Sequence, residues 1–221
     1  GASKGIGEGI AKTFVRHGAR VVLAARGEQV LALAEQLRSE GYEAAGVQTD
    51  VSDEASVETL IQTAVSTYGT VDILVNNAGI CTLEDFGAPS NEIRDRHIDI
   101  NIKGVWNATR AVLPIMKEKR DGRIVVMSSV TGYMVADPGE AAYAMTKAAL
   151  IGFTRAMARE TADYNIRVNA ICPGYVRTPL VEGMARQSDP ECPERAIQAI
   201  ADAVPLKRLA KPEEVGELAA F

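Results

Sequence analysis

Short, continuously apolar segments alternate with amphipathic segments along most of this chain. The apolar segments are ARVVLAA at 19–25, YEAAGVQT at 42–49, VDILV at 71–75, RIVVM at 123–127 and IRVNAI at 166–171. Continuous apolar runs of this length are typical of parallel strands, because helices bury both faces of a parallel sheet. Right-handed crossovers between such strands give a doubly wound sheet. The sequence therefore predicts an α/β fold, namely a Rossmann-like, doubly wound parallel sheet in a three-layer αβα arrangement.

Between these strands, apolar residues recur every three to four positions, which is the spacing of a helix with one buried face. The predicted helices cover about 6–17, 30–40, 53–68, 91–119 and 140–163, with shorter, proline-interrupted helices after residue 171. We find neither an internal repeat nor an interdomain linker in the sequence. We therefore expect 1–221 to form a single domain, with a loop or lid segment at about 180–205.

The charge balance and the histidine and cysteine content argue against several classes of protein. A net charge of −5 and a pI near 5.2 disfavour nucleic acid or an anionic membrane as a partner. No apolar run approaches the roughly 18 residues of a membrane span. Cys81, Cys172 and Cys192 form no C-x-x-C motif, which favours a reducing compartment, and we expect the cytoplasm. With only His17 and His97, both expected to be structural or solvated, we expect no metal site and no Ser-His-Asp hydrolase.

The segment GASKGIG has glycines at positions 1, 5 and 7, directly before a predicted helix. Glycine permits a tight turn and a close approach to a ligand, and a helix N-terminus offers free N–H groups to a pyrophosphate. The candidate cofactor-binding residues of this turn are Gly1, Ser3, Lys4, Gly5, Ile6 and Gly7. An ordinary turn of permissive sequence is the alternative. Because a phosphate-binding turn follows a strand, we expect a first strand ahead of Gly1, and a last strand after the helix at KPEEVGELAAF.

The end of the next strand bears on the choice between NAD and NADP. In nucleotide-binding βαβ units, an acidic residue at this place accepts a hydrogen bond from the adenosine 2′-hydroxyl and favours NAD. Here the segment is LAARGE, with Arg26 and no carboxylate before Glu28. A guanidinium group can pair bidentately with a 2′-phosphate, and Lys4 adds a second positive charge. The sequence therefore favours NADP(H), with NAD(H) possible; the alternative is that Arg26 is an ordinary surface arginine.

Four more loops follow the carboxyl ends of predicted strands, where open parallel sheets bind their ligands. These loops are DV at 50–51, NNAG at 76–79, SS at 128–129 and CPGYVRT at 172–178. The further residues that we expect to bind the cofactor are Asp50, Val51, Asn77, Ala78, Gly79, Pro173, Gly174, Val176 and Thr178. With the glycine turn, five loops converge on one edge of the sheet, which predicts a dinucleotide-binding site there.

Taken together, these motifs resemble those of the short-chain dehydrogenase/reductase family. The family pattern of a G-x-x-x-G-x-G turn, N-N-A-G, an Asn on the long helix, a Ser and Y-x-x-x-K occurs in order over the whole chain. The resemblance implies that the catalytic residues are Asn101, Ser129, Tyr143 and Lys147. Ser129 is closer than Ser128 to the family's usual separation from the tyrosine, so that Ser128 is the minor alternative.

The resemblance also implies a role for each of these residues. Tyr143 exchanges a proton with the substrate oxygen and Ser129 hydrogen-bonds the same oxygen, so both bind the substrate. Tyr143 and Lys147 share one face of a helix and also contact the cofactor, where Lys147 binds the nicotinamide ribose. We expect the ammonium group of Lys147 to lower the pKa of the phenol. Asn101 holds a water that links Lys147 to solvent.

The expected activity of this dinucleotide-binding catalytic domain is hydride transfer between a nicotinamide cofactor and a secondary alcohol or ketone. The loops at 80–88, 130–139 and 180–205 are mostly apolar, which favours a neutral or modestly polar small-molecule substrate. A 3-oxoacyl-carrier-protein-type reductase and a polyol or sugar dehydrogenase stay open. So do two other classes, a catalytically silent nucleotide-binding regulator and an epimerase or dehydratase. By resemblance, we expect a homotetramer with the helices at 91–119 and 140–163 in one interface.

Overall fold

A computed structural model describes residues 1–88 and 90–221. The strands in this part of the chain are β1 (Val21–Ala25), β2 (Ala44–Gln48), β3 (Ile73–Asn76), β4 (Gly122–Met127) and β5 (Ile166–Ile171). The α-helices are α1 (Gly5–Arg16), α2 (Gln29–Ser39), α3 (Glu54–Tyr68), α4 (Asn91–His97), α5 (Gly104–Lys119), α6 (Ala141–Thr161), α7 (Pro179–Ser188), α8 (Pro193–Ala203) and α9 (Pro212–Ala220). The predicted alternation of strands and helices is confirmed, with small shifts at the strand ends.

All strand pairs are parallel, as predicted, but the strands form two sheets instead of one. β1 pairs with β2 in the first sheet, and β3, β4 and β5 follow in that order in the second. The strand orders therefore run in opposite directions from the space between β1 and β3, which is the switch point of a doubly wound fold.

The edges of β1 and β3 border a slot of about 410 Å³, which α1, α3 and α5 also line. Gly1 and Ala2 lie at one end of this slot, where their backbone nitrogens donate to the Ala24 carbonyl oxygen. The expected first strand ahead of Gly1 stays a prediction.

Helices cover both faces of the strands and enclose two apolar clusters. The first cluster joins α1, α2 and α9 to β1, and Leu23, Val30 and Leu37 are almost wholly buried within it. The second cluster joins α3, α5 and α6 to β4 and β5 around Val112 and Ile124. Burial on both faces accounts for the continuously apolar strand sequences. The prediction of a single three-layer α/β domain is confirmed.

The long helix predicted at 91–119 is a continuous helical segment with a widened turn in its middle. α4 leads through a π-helical turn at Ile98–Lys103 directly into α5. A π turn accommodates one residue more than an α-helical turn and is often found at functional sites. Asn101 lies in this turn and is fully buried. The widened turn of the helix therefore coincides with a predicted site residue.

Candidate active site

Three of the predicted loops touch one another at the carboxyl edge of the sheets. The side chain of Asn77 donates a hydrogen bond from Nδ2 to the Gly1 carbonyl oxygen at 3.0 Å. A Cβ atom placed on Gly5 would lie 3.3 Å from Cγ2 of Thr178. The structure therefore packs the glycine turn between the NNAG loop and the CPGYVRT loop.

The glycine turn disfavours any other residue at two of its positions. Gly5 has a φ of +60°, in the left-handed region that favours glycine. A Cβ atom on Gly7 would overlap the Gly1 carbonyl oxygen. Lys4 precedes α1 and makes no side-chain cap bond, so the N–H groups of the first helical turn are open to an acceptor. These features fit the pyrophosphate of a dinucleotide.

A second cavity, of about 610 Å³, lies at the end of β1 beside the exposed side chain of Arg26. Its other lining residues are Asp50, Ser52, Glu92, Asp95, Arg96, Asp99 and Ile100. Hydrogen bonding from Ser52 holds the pKa of the Asp50 carboxyl below its usual range. Asp50 therefore stays ionised and well placed as an acceptor at neutral pH.

The charges around this cavity leave two guanidinium groups unpaired. Asp95 and Asp99 form ion pairs with Arg94 and Lys103. Among the described residues, neither Arg26 nor Arg96 has a carboxylate within ion-pair distance. Sequence reasoning identified Arg26 but missed Arg96, because a charged helix offers no local signal that singles out one arginine.

Tyr143 and Lys147 lie on one face of α6, as their four-residue spacing predicts. The Lys147 ammonium nitrogen lies 5.5 Å from the centroid of the Tyr143 ring and donates to the Met127 carbonyl oxygen at 2.8 Å. A Cβ atom on Gly79 would lie 3.4 Å from the same nitrogen. The NNAG loop thus reaches the tyrosine–lysine pair.

Burial dominates the protonation of this pair. It raises the pKa of Tyr143 to about 12, against an opposing contribution from hydrogen bonding with Ser129. Burial likewise lowers the pKa of Lys147 to about 8. The expectation of a lowered phenol pKa is therefore wrong for the chain alone, since desolvation of the phenolate raises the pKa of Tyr143.

Asn101 ties the loop after NNAG to the centre of α6. Its Oδ1 accepts a hydrogen bond from the Ile80 N–H at 2.8 Å, and its Nδ2 donates to the Ile80 carbonyl oxygen at 3.0 Å. The same Nδ2 donates to Oγ1 of Thr146 at 3.0 Å, and that hydroxyl donates to the Tyr143 carbonyl oxygen at 2.8 Å. Thr146 is fully buried. Sequence reasoning missed Thr146, because an isolated threonine in a helix carries no signal of a buried hydrogen-bond chain.

The two candidate serines have different contacts. The Ser128 hydroxyl is buried and donates to the Lys147 carbonyl oxygen at 2.8 Å. The Ser129 hydroxyl oxygen accepts from the Thr131 N–H at 3.1 Å, and hydrogen bonding from Ser129 opposes the rise in the pKa of Tyr143. The geometry therefore favours Ser129 as the serine beside the phenol and gives Ser128 a backbone partner.

Glu140, the residue before α6, is a buried carboxyl that sequence reasoning missed. It is 5% exposed, and its Oε2 atom has no hydrogen-bond partner within the described residues. Its Oε1 lies 4.0 Å from Sγ of Cys81, a thiol whose pKa burial raises to about 12. An acidic residue before a helix is ordinarily a solvated one, so the local sequence gives no indication of its burial.

The predicted substrate loops border this buried group. The Tyr175 hydroxyl donates to Oδ2 of Asp137 at 2.9 Å, which joins the loop at 172–178 to the loop at 130–139. Within the segment predicted as a lid at about 180–205, the structure has most of α7 and all of α8. Leu180 is 43% exposed at its start. That this segment moves as a lid stays a prediction.

Both histidines have contacts of a structural kind, as expected. His97 is fully buried, where its Nε2 accepts from the Thr82 N–H at 3.2 Å and its Nδ1 lies 2.8 Å from the Ile93 carbonyl oxygen. His17 is exposed and lies 3.1 Å from a Glu217 carboxylate oxygen. Over residues 1–88 and 90–221, none of the helices combines the length and apolarity needed to cross a bilayer.

Sequence comparisons place this chain among known oxidoreductases. A family model described as enoyl-(acyl carrier protein) reductase matches residues 1–221. Oxidoreductase UcpA of Salmonella typhimurium is 58% identical over 221 residues, which cover all of this chain and 84% of the relative. The 3-oxoacyl-[acyl-carrier-protein] reductase FabG of Thermotoga maritima is 36% identical over 228 residues, covering all of this chain and 87% of the relative.

Solved structures agree with these relatives in fold. Levodione reductase superposes with a TM-score of 0.94 at 33% identity, over 99% of this chain and 86% of that one. A variant of actinorhodin polyketide ketoreductase with NADPH superposes with a TM-score of 0.94 at 36% identity, over 100% of this chain and 86% of that one. Aldohexose dehydrogenase of Thermoplasma acidophilum superposes with a TM-score of 0.89 at 33% identity, over 100% of this chain and 83% of that one. Sequence and fold thus lead to one conclusion: the chain belongs to the short-chain dehydrogenase/reductase family and is an NAD(P)-dependent oxidoreductase.

Proposed function

We propose that the chain catalyses hydride transfer between NADP(H) and a neutral or modestly polar secondary alcohol or ketone. The observation that carries this proposal is the arrangement of Ser129, Tyr143 and Lys147 beside Gly79 at the carboxyl edge of the sheets. A phenol and a hydroxyl that lie near each other can both hydrogen-bond to one substrate oxygen. The oxygen of a carbonyl or carbinol group is the atom that such a site recognises.

Each residue of this arrangement has a task when the cofactor supplies or accepts the hydride. Tyr143 is protonated at neutral pH and gives its proton to the carbonyl oxygen as that oxygen gains negative charge. Ser129 donates a hydrogen bond to the same oxygen and fixes its position. Lys147 binds the ribose hydroxyls and holds a positive charge behind the phenol. In the reverse direction Tyr143 takes the proton of the alcohol as a phenolate.

Asn101 supports this chemistry by position. Its bonds to Ile80 and Thr146 hold the loop after NNAG against α6, so that loop, phenol and ammonium group keep one relative geometry. We retain as part of the proposal that a water near Asn101 links Lys147 to solvent and returns the proton of each turnover. Asn101 is then a positioning residue.

NADP(H) is the cofactor we propose, and NAD(H) is the second candidate. Arg26 and Arg96 line one cavity without a carboxylate partner among the described residues, and Lys4 adds a positive charge in the glycine turn. Guanidinium groups bind a phosphate bidentately, whereas a ribose 2′-hydroxyl offers them no charge. The ketoreductase neighbour with NADPH is in keeping with this choice.

Two narrower substrate classes remain inside the proposal. The relationship to FabG and to a polyketide ketoreductase favours a 3-oxoacyl thioester. The relationship to an aldohexose dehydrogenase favours a sugar or polyol. A screen of small compounds separates the two classes. The ketones ethyl acetoacetate, butane-2,3-dione and cyclohexanone are tested with NADPH and with NADH. The compounds 1-phenylethanol, sorbitol and glucose are tested with NADP⁺ and with NAD⁺.

The screen also tests the proposal itself. We expect the absorbance of the reduced nicotinamide to change with at least one pair of compound and cofactor. The change should be faster with NADP(H) than with NAD(H). Cofactor binding without any turnover would favour a catalytically silent regulator. Product formation without net cofactor turnover would favour an epimerase or dehydratase.

We further propose that the protein works in the cytoplasm as a homotetramer. Its three cysteines are free thiols, which suits a reducing compartment. Trp106 on α5 is 58% exposed, and its ring centroid lies 6.3 Å from that of Phe153 on α6. An exposed tryptophan that packs on a partly buried phenylalanine of the adjacent helix is suited to burial against a second copy of the chain. Light scattering on the wild type and a Trp106→Glu variant tests this assembly.

A further inference from the structure

The CPGYVRT loop runs directly beside Ser129. The Ser128 N–H donates to the Ile171 carbonyl oxygen at 2.8 Å, and the Val130 N–H donates to the Pro173 carbonyl oxygen at 3.1 Å. These two bonds continue the pairing of β4 with β5 beyond the ends of both strands. Because Ser129 lies between the two donors, the start of the CPGYVRT loop is fixed next to it.

A side-chain bond ties the CPGYVRT loop to the loop at 130–139 a second time. The Tyr175 hydroxyl donates to Oδ2 of Asp137 at 2.9 Å. Among the described residues, this is the one side-chain hydrogen bond between the two loops. Burial and the bond to Asp137 raise the pKa of Tyr175 to about 12. The bond therefore keeps its donor proton up to mildly alkaline pH.

Both ends of this bond are attached to backbone that is itself hydrogen-bonded. On one side, the Ala210 N–H donates to the Tyr175 carbonyl oxygen at 2.9 Å. On the other side, the Glu140 N–H donates to the Asp137 carbonyl oxygen at 3.3 Å, in the turn that leads into α6. Met134, in the middle of the same loop, is 73% exposed. The bond thus fixes the returning end of a loop whose middle extends into solvent.

The two hydroxyls of the proposed active site lie at the two ends of the loop at 130–139. Ser129 directly precedes this loop, and Tyr143 follows it in the first turn of α6. In the proposed function, the substrate oxygen binds between these two hydroxyls. The backbone that runs from one hydroxyl to the other, and that the Tyr175–Asp137 bond closes into a ring, then borders the substituents of the reacting carbon.

We propose that Tyr175 and Asp137 are positioning residues, and that their bond limits the size of the group next to the reacting carbon. The inference rests on the proposed function and narrows its substrate class to compact carbonyl compounds and alcohols. With the bond intact, the two loops present one rigid surface that holds a small substrate in place. Without the bond, the loop at 130–139 can move away, so that a larger group enters and a small one is held less well.

The test measures kcat and KM for pairs of substrates that differ in bulk near the reacting carbon. Any compound of the screen that turns over is paired with a larger analogue: cyclohexanone with 4-tert-butylcyclohexanone, ethyl acetoacetate with ethyl benzoylacetate, butane-2,3-dione with 1-phenylpropane-1,2-dione, 1-phenylethanol with 1-(1-naphthyl)ethanol, sorbitol with maltitol, and glucose with maltose. The wild type should turn over the smaller member faster. Tyr175→Phe and Asp137→Ala should raise KM for the smaller member and lower it for the larger, each by roughly 3- to 10-fold, the range of one hydrogen bond.

Three further variants separate positioning from a general loss of structure. Asp137→Asn keeps an acceptor oxygen for the Tyr175 hydroxyl and should retain the preference of the wild type. Tyr175→Phe combined with Asp137→Ala should shift KM no further than either change alone, because both remove the same bond. Tyr164→Phe, whose ring lies 4.8 Å from the Lys117 ammonium nitrogen, should leave every KM unchanged. If Tyr175→Phe lowers kcat by the same factor for both members of a pair and leaves KM unchanged, the inference is overturned.

Amide hydrogen exchange gives a second readout that needs no turnover. Tyr175→Phe should speed exchange in the peptide that covers 131–138, whereas Asp137→Asn should not. Unchanged exchange in Tyr175→Phe, or additive KM shifts in the double variant, would also overturn the inference. Absence of turnover with every compound of the screen would instead overturn the proposed function, and the exchange would then decide whether the bond joins the two loops.

Discussion

The hydroxyl of Ser128 donates a buried hydrogen bond to the carbonyl oxygen of Lys147, 2.8 Å away. The neighbouring Ser129 hydroxyl oxygen instead accepts from the Thr131 N–H, and hydrogen bonding from Ser129 opposes the rise in the pKa of the Tyr143 phenol. Two adjacent serines at the end of β4 thus reach α6 at different points, one at its backbone and one at its reactive side chain. This difference makes separate variants of the two informative.

We expect Ser129→Ala to lower kcat by roughly 100-fold, since one donor to the developing oxyanion is lost. We expect Ser128→Ala to lower the free energy of unfolding by about 0.5–1.5 kcal/mol, because the variant loses one buried hydrogen bond. Steady-state kinetics and urea unfolding of both variants measure these effects. The assignment fails if Ser128→Ala loses more turnover than Ser129→Ala.

Replacing Tyr143 by phenylalanine should lower kcat by roughly 10²- to 10⁴-fold, since a positioned general acid contributes that much. Binding of NADPH, followed by its fluorescence, should change little. Tyr164→Phe is the matched control, because its ring lies 4.8 Å from Lys117, outside the site, and its hydroxyl has no catalytic task. Equal turnover of Tyr143→Phe and the wild type would refute the acid–base role of the phenol.

Arg26→Ala should weaken NADPH binding by roughly 10- to 100-fold, which corresponds to one lost charged hydrogen-bond pair. NADH binding should hardly change, because NADH lacks the 2′-phosphate. Arg167→Ala serves as the control, since Arg167 is exposed near the start of β5, at the opposite edge of the sheet. Fluorescence titration with both cofactors measures the ratio of dissociation constants. If the ratio of the NADPH and NADH dissociation constants is the same for Arg26→Ala and the wild type, Arg26 does not recognise the 2′-phosphate.

The stability of the protein should depend on pH through Lys147. Burial lowers its pKa to about 8 in the folded chain, against 10.5 as the ordinary value. The unfolded state therefore binds more protons between these values, and the contribution of Lys147 to stability rises as the pH rises through this window. Lys147→Met should have a higher free energy of unfolding than the wild type. This difference in unfolding free energy should be larger near pH 7 than near pH 10, by up to roughly 3 kcal/mol.

Urea unfolding of both proteins at the two pH values measures this difference. Other alkaline titrations, such as those of Tyr143 and Cys81, occur in both proteins and largely cancel in the comparison. A difference in unfolding free energy that does not vary with pH would mean that the ammonium group is not desolvated.

Gly7→Ala should abolish cofactor binding and lower the free energy of unfolding by roughly 1–3 kcal/mol, because the added Cβ overlaps the Gly1 carbonyl oxygen. Gly183→Ala in α7 meets no atom within 4 Å and should raise the free energy of unfolding by about 0.5–1 kcal/mol. Circular dichroism melts and NADPH titrations of the two variants test both expectations. Retained NADPH binding by Gly7→Ala would show that the turn can relax.

The sequence predicts the layers of the fold and most site residues because those signals are local. The NNAG motif directly follows the predicted strand VDILV. Its place in the sequence is therefore enough to put this loop at the carboxyl end of that strand. The choice of Ser129 over Ser128 follows in the same way from its separation from Tyr143, and the contacts of the two hydroxyls favour that choice.

Features that depend on burial by distant segments are not predictable in this way. Glu140 and Thr146 are common residue types in a helix, and only the packing of the loop at 79–82 and of Asn101 makes them unusual. The pKa of Tyr143 was expected to fall because the sequence shows its cationic neighbour. The sequence does not show how far the phenol is removed from water.

The widened turn at Ile98–Lys103 holds one residue more than a regular helical turn. Deleting one residue there would restore regular winding and leave α4 and α5 in nearly the same rotation about their common axis, so that Val112 and Met116 would stay in the core. The packing of α5 therefore does not require the extra residue. Its consequence is local, because it sets the position of Asn101 without altering the hydrophobic interior.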